Sequence, residues 1–334
     1  MKTKAKTEKR SKKGLAALGT AAAVIAALAI VLNIAGAHKS DPSLIKTFDT
    51  QNPYILDDTD ISGHRSGGGI APEETMMAFK NCAESDEFEV DVFEFDLHIT
   101  KDNVLVLLHD DTLDRTSNSE EVFGEKDVRP ENKTYEELRR LNMGAKFKNE
   151  NGETPFASLK EPTDDLKILR VEDVLDYLTG TGDCKFIIEI KNGGDLGKKG
   201  VDILHDILVE KNLLDRVVFG TFHGEISEYV DENYPDMMRS TGITEALEFM
   251  FAVLTDSDSY EPPCKVLQIP YGAPFKYLGL NTATAQVVNY AHEHDMALQY
   301  WTINNEEDME YLLSIGADCI MTDYPDKLYK IKNK

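Results

Sequence analysis

The chain has 334 residues, and 60 Asp and Glu residues against 36 Lys and Arg residues give it a formal net charge of −24. So large an excess of negative charge argues against nucleic acid and anionic lipid surfaces as partners. The four cysteines are widely spaced and form no C-x-x-C pair, which excludes a recognisable zinc motif and argues against a disulfide framework.

The N-terminus combines a basic segment with a long uncharged one. Residues 1–13 carry seven basic residues and one acid, and 14–37 is an unbroken uncharged run rich in Ala, Leu, Ile and Val. A helix of that length spans roughly 30 Å of hydrocarbon. The sequence therefore predicts a cytoplasmic tail, a single transmembrane signal anchor, a linker at 38–58 and an extracellular catalytic domain at 59–334. The Ala-Gly-Ala at 35–37 has the form of a signal-peptide cleavage site, so secretion after cleavage is the alternative.

Strand-like and helix-like segments alternate from Ile61 to the C-terminus, which is typical of a parallel sheet with crossover helices. Counting 104–108 as an accessory to the second strand leaves eight βα units, which favours a closed (β/α)8 TIM barrel over an open Rossmann sheet. Predicted strands lie at 60–64, 90–99, 104–108, 185–191, 216–222, 239–243, 265–269, 296–302 and 319–323. Predicted helices lie at 72–83, 134–142, 171–179, 198–212, 225–233, 244–254, 282–294 and 305–315. The long stretch from about 110 to 170 is interpreted as a functional insertion.

Two predicted strands carry acidic side chains on one face. In 90–99 Glu94 and Asp96 alternate with phenylalanines, and in 186–191 Glu189 alternates with isoleucines. Both faces of a strand in a parallel barrel are covered, so carboxylates there require a cation. The pattern predicts one divalent ion, Ca²⁺ or Mg²⁺, at the C-terminal ends of the strands. An internal salt-bridge network is the alternative interpretation.

Two histidines follow predicted strands. His64 ends the first strand and precedes Arg65 and a run of glycines, while His109 closes the apolar run at 104–108. Phosphodiester cleavage needs one group to take a proton and another to donate one, and two histidines at strand ends suit these roles. Arg65 and Lys191 are expected to bind phosphate and offset its charge.

Six short motifs lie at or near the ends of predicted strands. They are HRS with GGGIA and PEET from His64, EFD from Glu94, HDDTLDRT from His109, EIK from Glu189, YWTIN around Trp301 and TDYP from Thr322. Over residues 59–330 the set resembles the motifs of the glycerophosphodiester phosphodiesterase family. Two positions depart from the family pattern, because Ser66 replaces a glycine and Glu74 replaces an asparagine. The second departure adds negative charge near the expected metal ion.

The resemblance implies a barrel with a small subdomain inserted after the second strand, here about 111–165. It implies that Glu94, Asp96 and Glu189 hold the divalent cation and that the two strand-end histidines act as the acid/base pair. It also implies that Trp301 lines the site for the leaving group or glycerol, with core packing as the alternative.

The resemblance predicts a metal-dependent hydrolysis of small-molecule glycerophosphodiesters to glycerol phosphate and an alcohol. A lysophospholipase D-like activity on membrane lipids is a second hypothesis, suggested by the predicted anchor at 14–37. A catalytically silent barrel that binds phosphodiesters is a third. The sequence indicates no obligate protein partner.

Overall fold

One curved sheet forms the centre of the computed structural model, which describes residues 38–159, 161–272 and 281–334. In chain order its strands are β1 (Asp60–Gly63), β2 (Val92–Ile99), β3 (Leu105–Leu107), β4 (Lys185–Ile190), β5 (Val217–Gly220), β6 (Val266–Pro270), β7 (Ala297–Trp301) and β8 (Cys319–Thr322). The parallel strands follow one another as β5-β4-β2-β1-β8-β7-β6, and β3 pairs antiparallel with β2. The accessory role expected for 104–108 is therefore confirmed.

A short segment at 238–241 joins the two ends of this sheet. Arg239 pairs with Phe219 of β5, and Ser240 pairs with Val266 of β6, both in parallel. The predicted strand at 239–243 is wrong in extent, because the chain turns at Gly242 into a helix and only these isolated bridges form. The result is a nearly closed (β/α)8 barrel.

Helices follow the parallel strands and cover the outside of the barrel. They are α1 (Met76–Ala83), α2 (Ser119–Phe123), α3 (Tyr135–Leu138), α4 (Val171–Thr181), α5 (Gly194–Lys211), α6 (Gly224–Asn233), α7 (Ile243–Thr255), α8 (Ala285–Glu293), α9 (Glu306–Ser314) and α10 (Pro325–Lys332). The helix predicted at 72–83 begins only at Met76, because the Thr75 side chain caps it by accepting a hydrogen bond from the Ala78 N–H. The helix predicted at 134–142 is limited to α3.

The two ends of the barrel interior differ in polarity. Side chains from the N-terminal ends of the strands form a buried apolar cluster that includes Val92, Ile187, Val218, Val266 and Ala297. Side chains that lie two and four residues beyond these apolar ones point to the same face of each strand, nearer to its C-terminal end. Acidic residues therefore occupy the C-terminal end of the interior, where barrel enzymes place their active sites.

The segment between β3 and α4 contains α2 and α3 and has a small apolar core of its own. This core is built from Val106, Leu108, Leu113, Val128, Leu138, Leu141, Met143 and Ile168. At the start of this segment the Leu108 N–H donates to the Asp96 carbonyl at 3.0 Å, so the next residue, His109, lies beside the acidic end of β2.

Residues 38–58, predicted as a linker, lie against the barrel. The Asn52 side-chain amide donates to the carbonyls of Lys265 and Asp295 at 2.8 and 2.9 Å, and Tyr54 is buried in the apolar cluster of the interior. The predicted anchor at 14–37 lies outside the described residues. Within the described part of the chain, no helix combines the length and apolarity that a membrane crossing requires.

Candidate active site

A cavity of about 370 Å³ opens at the C-terminal ends of the barrel strands. One side of its wall is polar and consists largely of residues predicted from the sequence, namely His64, Arg65, Glu94, Asp96, His109 and Glu189. The other side is largely apolar. The structure thus brings together side chains from β1, β2, β4 and the segment after β3.

The loop after β1 is held in an unusual backbone conformation. Arg65 and Ser66 have positive φ angles of 48° and 59°, which non-glycine residues rarely adopt. A Cβ added at Gly69 would lie 2.6 Å from the Tyr324 ring, so only glycine permits this close approach to the loop after β8. The tight loop directs His64 and Arg65 into the cavity.

A carboxylate orients each of the two histidines in the cavity, His64 and His109. His64 Nδ1 lies 2.7 Å from Asp323 Oδ1, and His109 Nδ1 lies 2.7 Å from Asp110 Oδ1. A carboxylate on Nδ1 leaves Nε2 of each ring available to a substrate. Thr302 Oγ1 is 3.4 Å from His64 Nε2, at the edge of hydrogen-bonding distance.

The charges around the two histidines differ. Burial is the largest influence on the pKa of His64 and lowers it, but the charges of Glu94 and Asp323 more than offset burial and hold this pKa above its ordinary value. Burial also lowers the pKa of His109, and the charges of Arg65 and Lys191 reinforce that decrease against the opposing charge of Asp96. His64 is therefore the more readily protonated of the two.

The three predicted ligand carboxylates line the same cavity. Glu94 Oε2 accepts a hydrogen bond from the Arg65 N–H at 2.7 Å, and Glu189 Oε1 is ion-paired with Lys191 Nζ at 2.8 Å. Asp96 lies beside Glu189 in the register of β2 and β4. Among the described residues, no three His, Cys, Asp or Glu side chains are arranged to hold a metal ion as they stand, and the Glu189 side chain pairs instead with Lys191.

The three carboxylates crowd one another, and only at Asp96 do the nearby cations Lys191 and Arg65 offset the effect of burial and lower the pKa. Burial and the charge of Asp96 raise the pKa of Glu94 to about 7 and that of Glu189 to about 8. Both carboxylate oxygens of Asp96 are buried and accept no hydrogen bond within the described part of the chain. Hard carboxylate oxygens that are crowded and lack donors fit a divalent cation.

The two predicted phosphate-binding cations are paired with acids. Arg65 Nη1 donates to Glu73 Oε1 at 3.1 Å, and its Nε lies 3.7 Å from Asp96. Lys191 Nζ is 3.4 Å from Asp96 and lies over the Phe222 ring. Of the two, only Arg65 is among the residues that line the cavity.

A charged network joins Arg65 to His109, and its central link, between Glu73 and Arg115, was not predicted from the sequence. Arg115 donates to both oxygens of Glu73 at 2.6 and 2.7 Å and to Asp110 at 2.6 Å. Glu73 in turn holds Arg65, and Asp110 holds His109. Glu73 lies in the motif PEET and Arg115 in the motif HDDTLDRT, and neither motif indicates that these two residues pair.

Helix α7 forms much of the apolar wall and was also not predicted as part of the site. The residues that line the cavity include Ile243, Ala246, Leu247 and Met250 of α7 together with Trp301 and Phe222. Trp301 and Phe222 pack edge to face with ring centroids 5.8 Å apart. The sequence ITEALEFMF could have indicated an apolar helix face here, because apolar residues recur in it every three or four positions.

Comparisons with known proteins agree with this geometry. Residues 64–327 match the Glycerophosphoryl diester phosphodiesterase family. A glycerophosphodiester phosphodiesterase of Bacillus altitudinis is 28% identical over 283 residues, which cover 83% of this chain and 99% of that protein. A lysophospholipase D of Mus musculus is 23% identical over 290 residues, which cover 80% of each.

The fold is shared with a solved phosphodiesterase of Oleispira antarctica in complex with the product sn-glycerol-3-phosphate. Its TM-score is 0.61 at 19% identity, with 82% of this chain and 97% of that chain covered. The match to the family covers the barrel from His64 in the loop after β1 to the last helix, and includes every strand-end residue described above. The chain belongs to the glycerophosphoryl diester phosphodiesterase family, whose members are phosphoric diester hydrolases.

Proposed function

We propose that the chain hydrolyses glycerophosphodiesters to glycerol phosphate and an alcohol, with His64 and His109 as the acid/base pair. The observation that carries the proposal is the presence of both histidines in one cavity, each held by a carboxylate on Nδ1. Two ring nitrogens are then available to the attacking and leaving oxygens of a bound diester.

The two histidines have different roles in this proposal. His109, whose pKa is lowered, takes the proton of the attacking oxygen. His64, whose pKa is raised and which Asp323 supports, donates a proton to the leaving oxygen. Arg65 faces the cavity and is placed to offset negative charge on the phosphate. Lys191 supports the same charge balance through Glu189 and Asp96.

Glu94, Asp96 and Glu189 would hold one divalent cation, Ca²⁺ or Mg²⁺. When bound, such an ion supplies positive charge that neutralises the crowded carboxylates and attracts the phosphodiester. Support for this assignment comes from the buried Asp96 oxygens, which accept no hydrogen bond from the described residues, and from the raised pKa values of Glu94 and Glu189.

The test replaces each histidine with glutamine, which keeps a similar size but cannot exchange a proton near neutral pH. Turnover of a choline-type glycerophosphodiester by His64→Gln and His109→Gln is expected to fall by about 10²–10⁴-fold. His205→Gln is the matched control, because His205 lies on α5 and pairs with Asp236 away from the cavity. Full activity in either active-site variant, with circular dichroism unchanged, would refute the assignment.

A lysophospholipase D-like activity is a second candidate, and α7 favours it. Ile243, Leu247 and Phe251 are 57%, 61% and 67% exposed and follow one another at helical spacing. Two of them also line the cavity, so an apolar surface continues from the polar site to the outside. A lysolipid, with a phosphodiester at one end and an acyl chain at the other, would match both parts. Comparing turnover of a soluble choline-type diester with that of a micellar lysolipid separates the two candidates.

We also propose that hydrolysis takes place outside the cell. The support is the sequence alone, in which the basic residues 1–13 precede the uncharged run 14–37. Protease accessibility of a C-terminal tag on intact cells would test this orientation. Protection of the tag until the cells are lysed would contradict it.

A further inference from the structure

The non-glycine residues with positive φ fall into two groups. In the described residues, those far from the cavity are all Asn or Asp, which tolerate this conformation: Asn103, Asp127, Asn212, Asp256 and Asp295. The three that are neither Asn nor Asp are Arg65, Ser66 and Glu74. All three lie in the loop that follows β1, so unfavourable backbone conformations are concentrated beside the carboxylate cluster.

Glu74 combines this conformation with burial. Its φ is 55°, and only 4% of the residue is exposed. Its Oε1 accepts a hydrogen bond from the Asp96 N–H at 2.7 Å. The loop and β2 are thus joined twice, because Glu94 of β2 accepts a hydrogen bond from the Arg65 N–H.

The Glu74 carboxylate has little positive charge near it, and burial together with the charges of Asp96 and Glu73 raises its pKa well above the ordinary value. The nearest cation of the loop, Arg65, is already paired with Glu73 and lies 3.7 Å from Asp96. A neutral Asn or Gln could accept the same backbone hydrogen bond at lower cost, and Asn also suits a positive φ. A buried acid here therefore disfavours the cation-free protein.

We propose that Glu74 is a positioning residue that strengthens divalent-cation binding by holding the Asp96 backbone and by placing a fourth carboxylate behind the Glu94–Asp96–Glu189 cluster. This inference rests on the proposed cation site. Glu74 does not line the cavity, whereas Asp96, which it supports, does, and neither buried Asp96 oxygen accepts a hydrogen bond from another described residue. The free-energy cost of the positive φ and of the buried carboxylate at Glu74 is offset only when a cation is bound.

The test measures the melting temperature of the cation-free protein, which is expected to rise in a Glu74 variant, and the affinity for the cation, which is expected to fall. Glu74→Gln retains an oxygen for the Asp96 N–H and removes only the charge, and Glu74→Asn also relieves the positive φ. In the full-length, chelator-treated protein, the melting temperature of Glu74→Asn is expected to rise by roughly 2–4 °C. Isothermal titration with Ca²⁺ and with Mg²⁺ separately is expected to show that both variants bind at least tenfold more weakly than wild type.

Asp256→Asn is the matched control, because it also exchanges an acid at positive φ, 49°, but at the exposed end of α7. Its cation affinity should equal that of wild type. Unchanged affinity in Glu74→Gln, with binding retained in wild type, would overturn the role of Glu74 and leave the cation site standing. Absence of Ca²⁺ and Mg²⁺ binding by wild type would overturn both.

Discussion

His64 and Asp323 are 259 residues apart in the chain, yet His64 Nδ1 and Asp323 Oδ1 lie 2.7 Å apart. Strands β1 and β8 are neighbours in the barrel, with Gly63 opposite Thr322, so the residues that follow the two strands meet. The Asn304 side chain donates to the other Asp323 oxygen, which keeps the carboxylate turned toward the imidazole. Asp323 thus supports the protonated form of His64.

Asp323→Asn should change the pH dependence of turnover. The charge and hydrogen bond of Asp323 raise the pKa of His64, so their removal lowers it. Because His64 acts as the acid in the proposed mechanism, activity is lost when His64 loses its proton as the pH rises. The alkaline limb of the kcat/KM profile is therefore expected to move to lower pH, with the acidic limb little changed. An unchanged alkaline limb would show that His64 is not the group reported by it.

Binding of a divalent cation should stabilise the protein against heat. An ion that binds only the folded state at about 100 times its Kd contributes roughly 2.7 kcal/mol. For a barrel of this size the melting temperature should rise by roughly 5–10 °C when Ca²⁺ or Mg²⁺ is added after chelation. Asp96→Asn should abolish the rise, whereas Asp176→Asn, on the exposed surface of α4, should retain it. An equal rise in Asp96→Asn would remove Asp96 from the ligand set.

Arg115→Gln should destabilise the protein in a pH-dependent manner. Burial raises the pKa of Asp110, but hydrogen bonds with Arg115 and His109 more than offset burial and hold that pKa at about 2, below its ordinary 3.8. A lowered carboxylate pKa contributes stability that is present above the unfolded value and is lost as the pH falls toward the folded one.

Urea unfolding at pH 7 should therefore show a loss of about 1–2 kcal/mol in the Arg115→Gln variant, since the pairs are partly exposed. The difference from wild type should shrink as the pH falls from 4 toward 2. Arg140→Gln changes the same charge at an exposed position of the same segment and should have little effect at either pH. A difference that persists undiminished at pH 2 would contradict the electrostatic explanation.

Polar substitutions on α7 should separate soluble from lipid substrates. Leu247→Ser and Phe251→Ser each remove an exposed apolar side chain along the path that leaves the cavity. Contact of such a side chain with an acyl chain is worth about 1.5–3 kcal/mol, so KM for a micellar lysolipid should rise about tenfold or more. KM of these variants for a soluble choline-type diester should stay within about twofold of wild type. Leu196→Ser, which removes an exposed apolar side chain on α5, is the control, and its KM for either substrate should stay within the same range. Equal losses on both substrates would argue against an acyl path.

Much of the site was accessible from local patterns. Period-two alternation in β2 and β4 predicted that Glu94, Asp96 and Glu189 share the inner face, and the register Asp96 opposite Glu189 agrees. His64 was recognised at the end of the first predicted strand, before a run of glycines, and His109 at the end of the apolar run 104–108. The alternation of side chains along a strand and the residue at which a strand ends both depend on residues that are close in the chain, so both can be predicted from the sequence.

The charged pairs were not accessible in the same way. Glu73 and Arg115 are 42 residues apart, and neither motif that contains them specifies the other as a partner. The predicted strand at 239–243 was wrong in extent for a related reason, because Gly242 caps α7 and the strand ends before it. Long-range pairing and the competition between neighbouring elements are decided when the barrel closes.

By itself, the sequence determined the alternation of strands and helices, the acidic stripes on two strands and the histidines that follow two others. The tertiary structure decided that Asp323 orients His64, that Arg115 links Asp110 to Glu73 and that α7 completes the cavity with apolar side chains. The physical reason is range. Backbone periodicity acts over a few residues, whereas hydrogen bonds and ion pairs between distant residues form only after the parallel strands have brought their C-terminal ends to one rim.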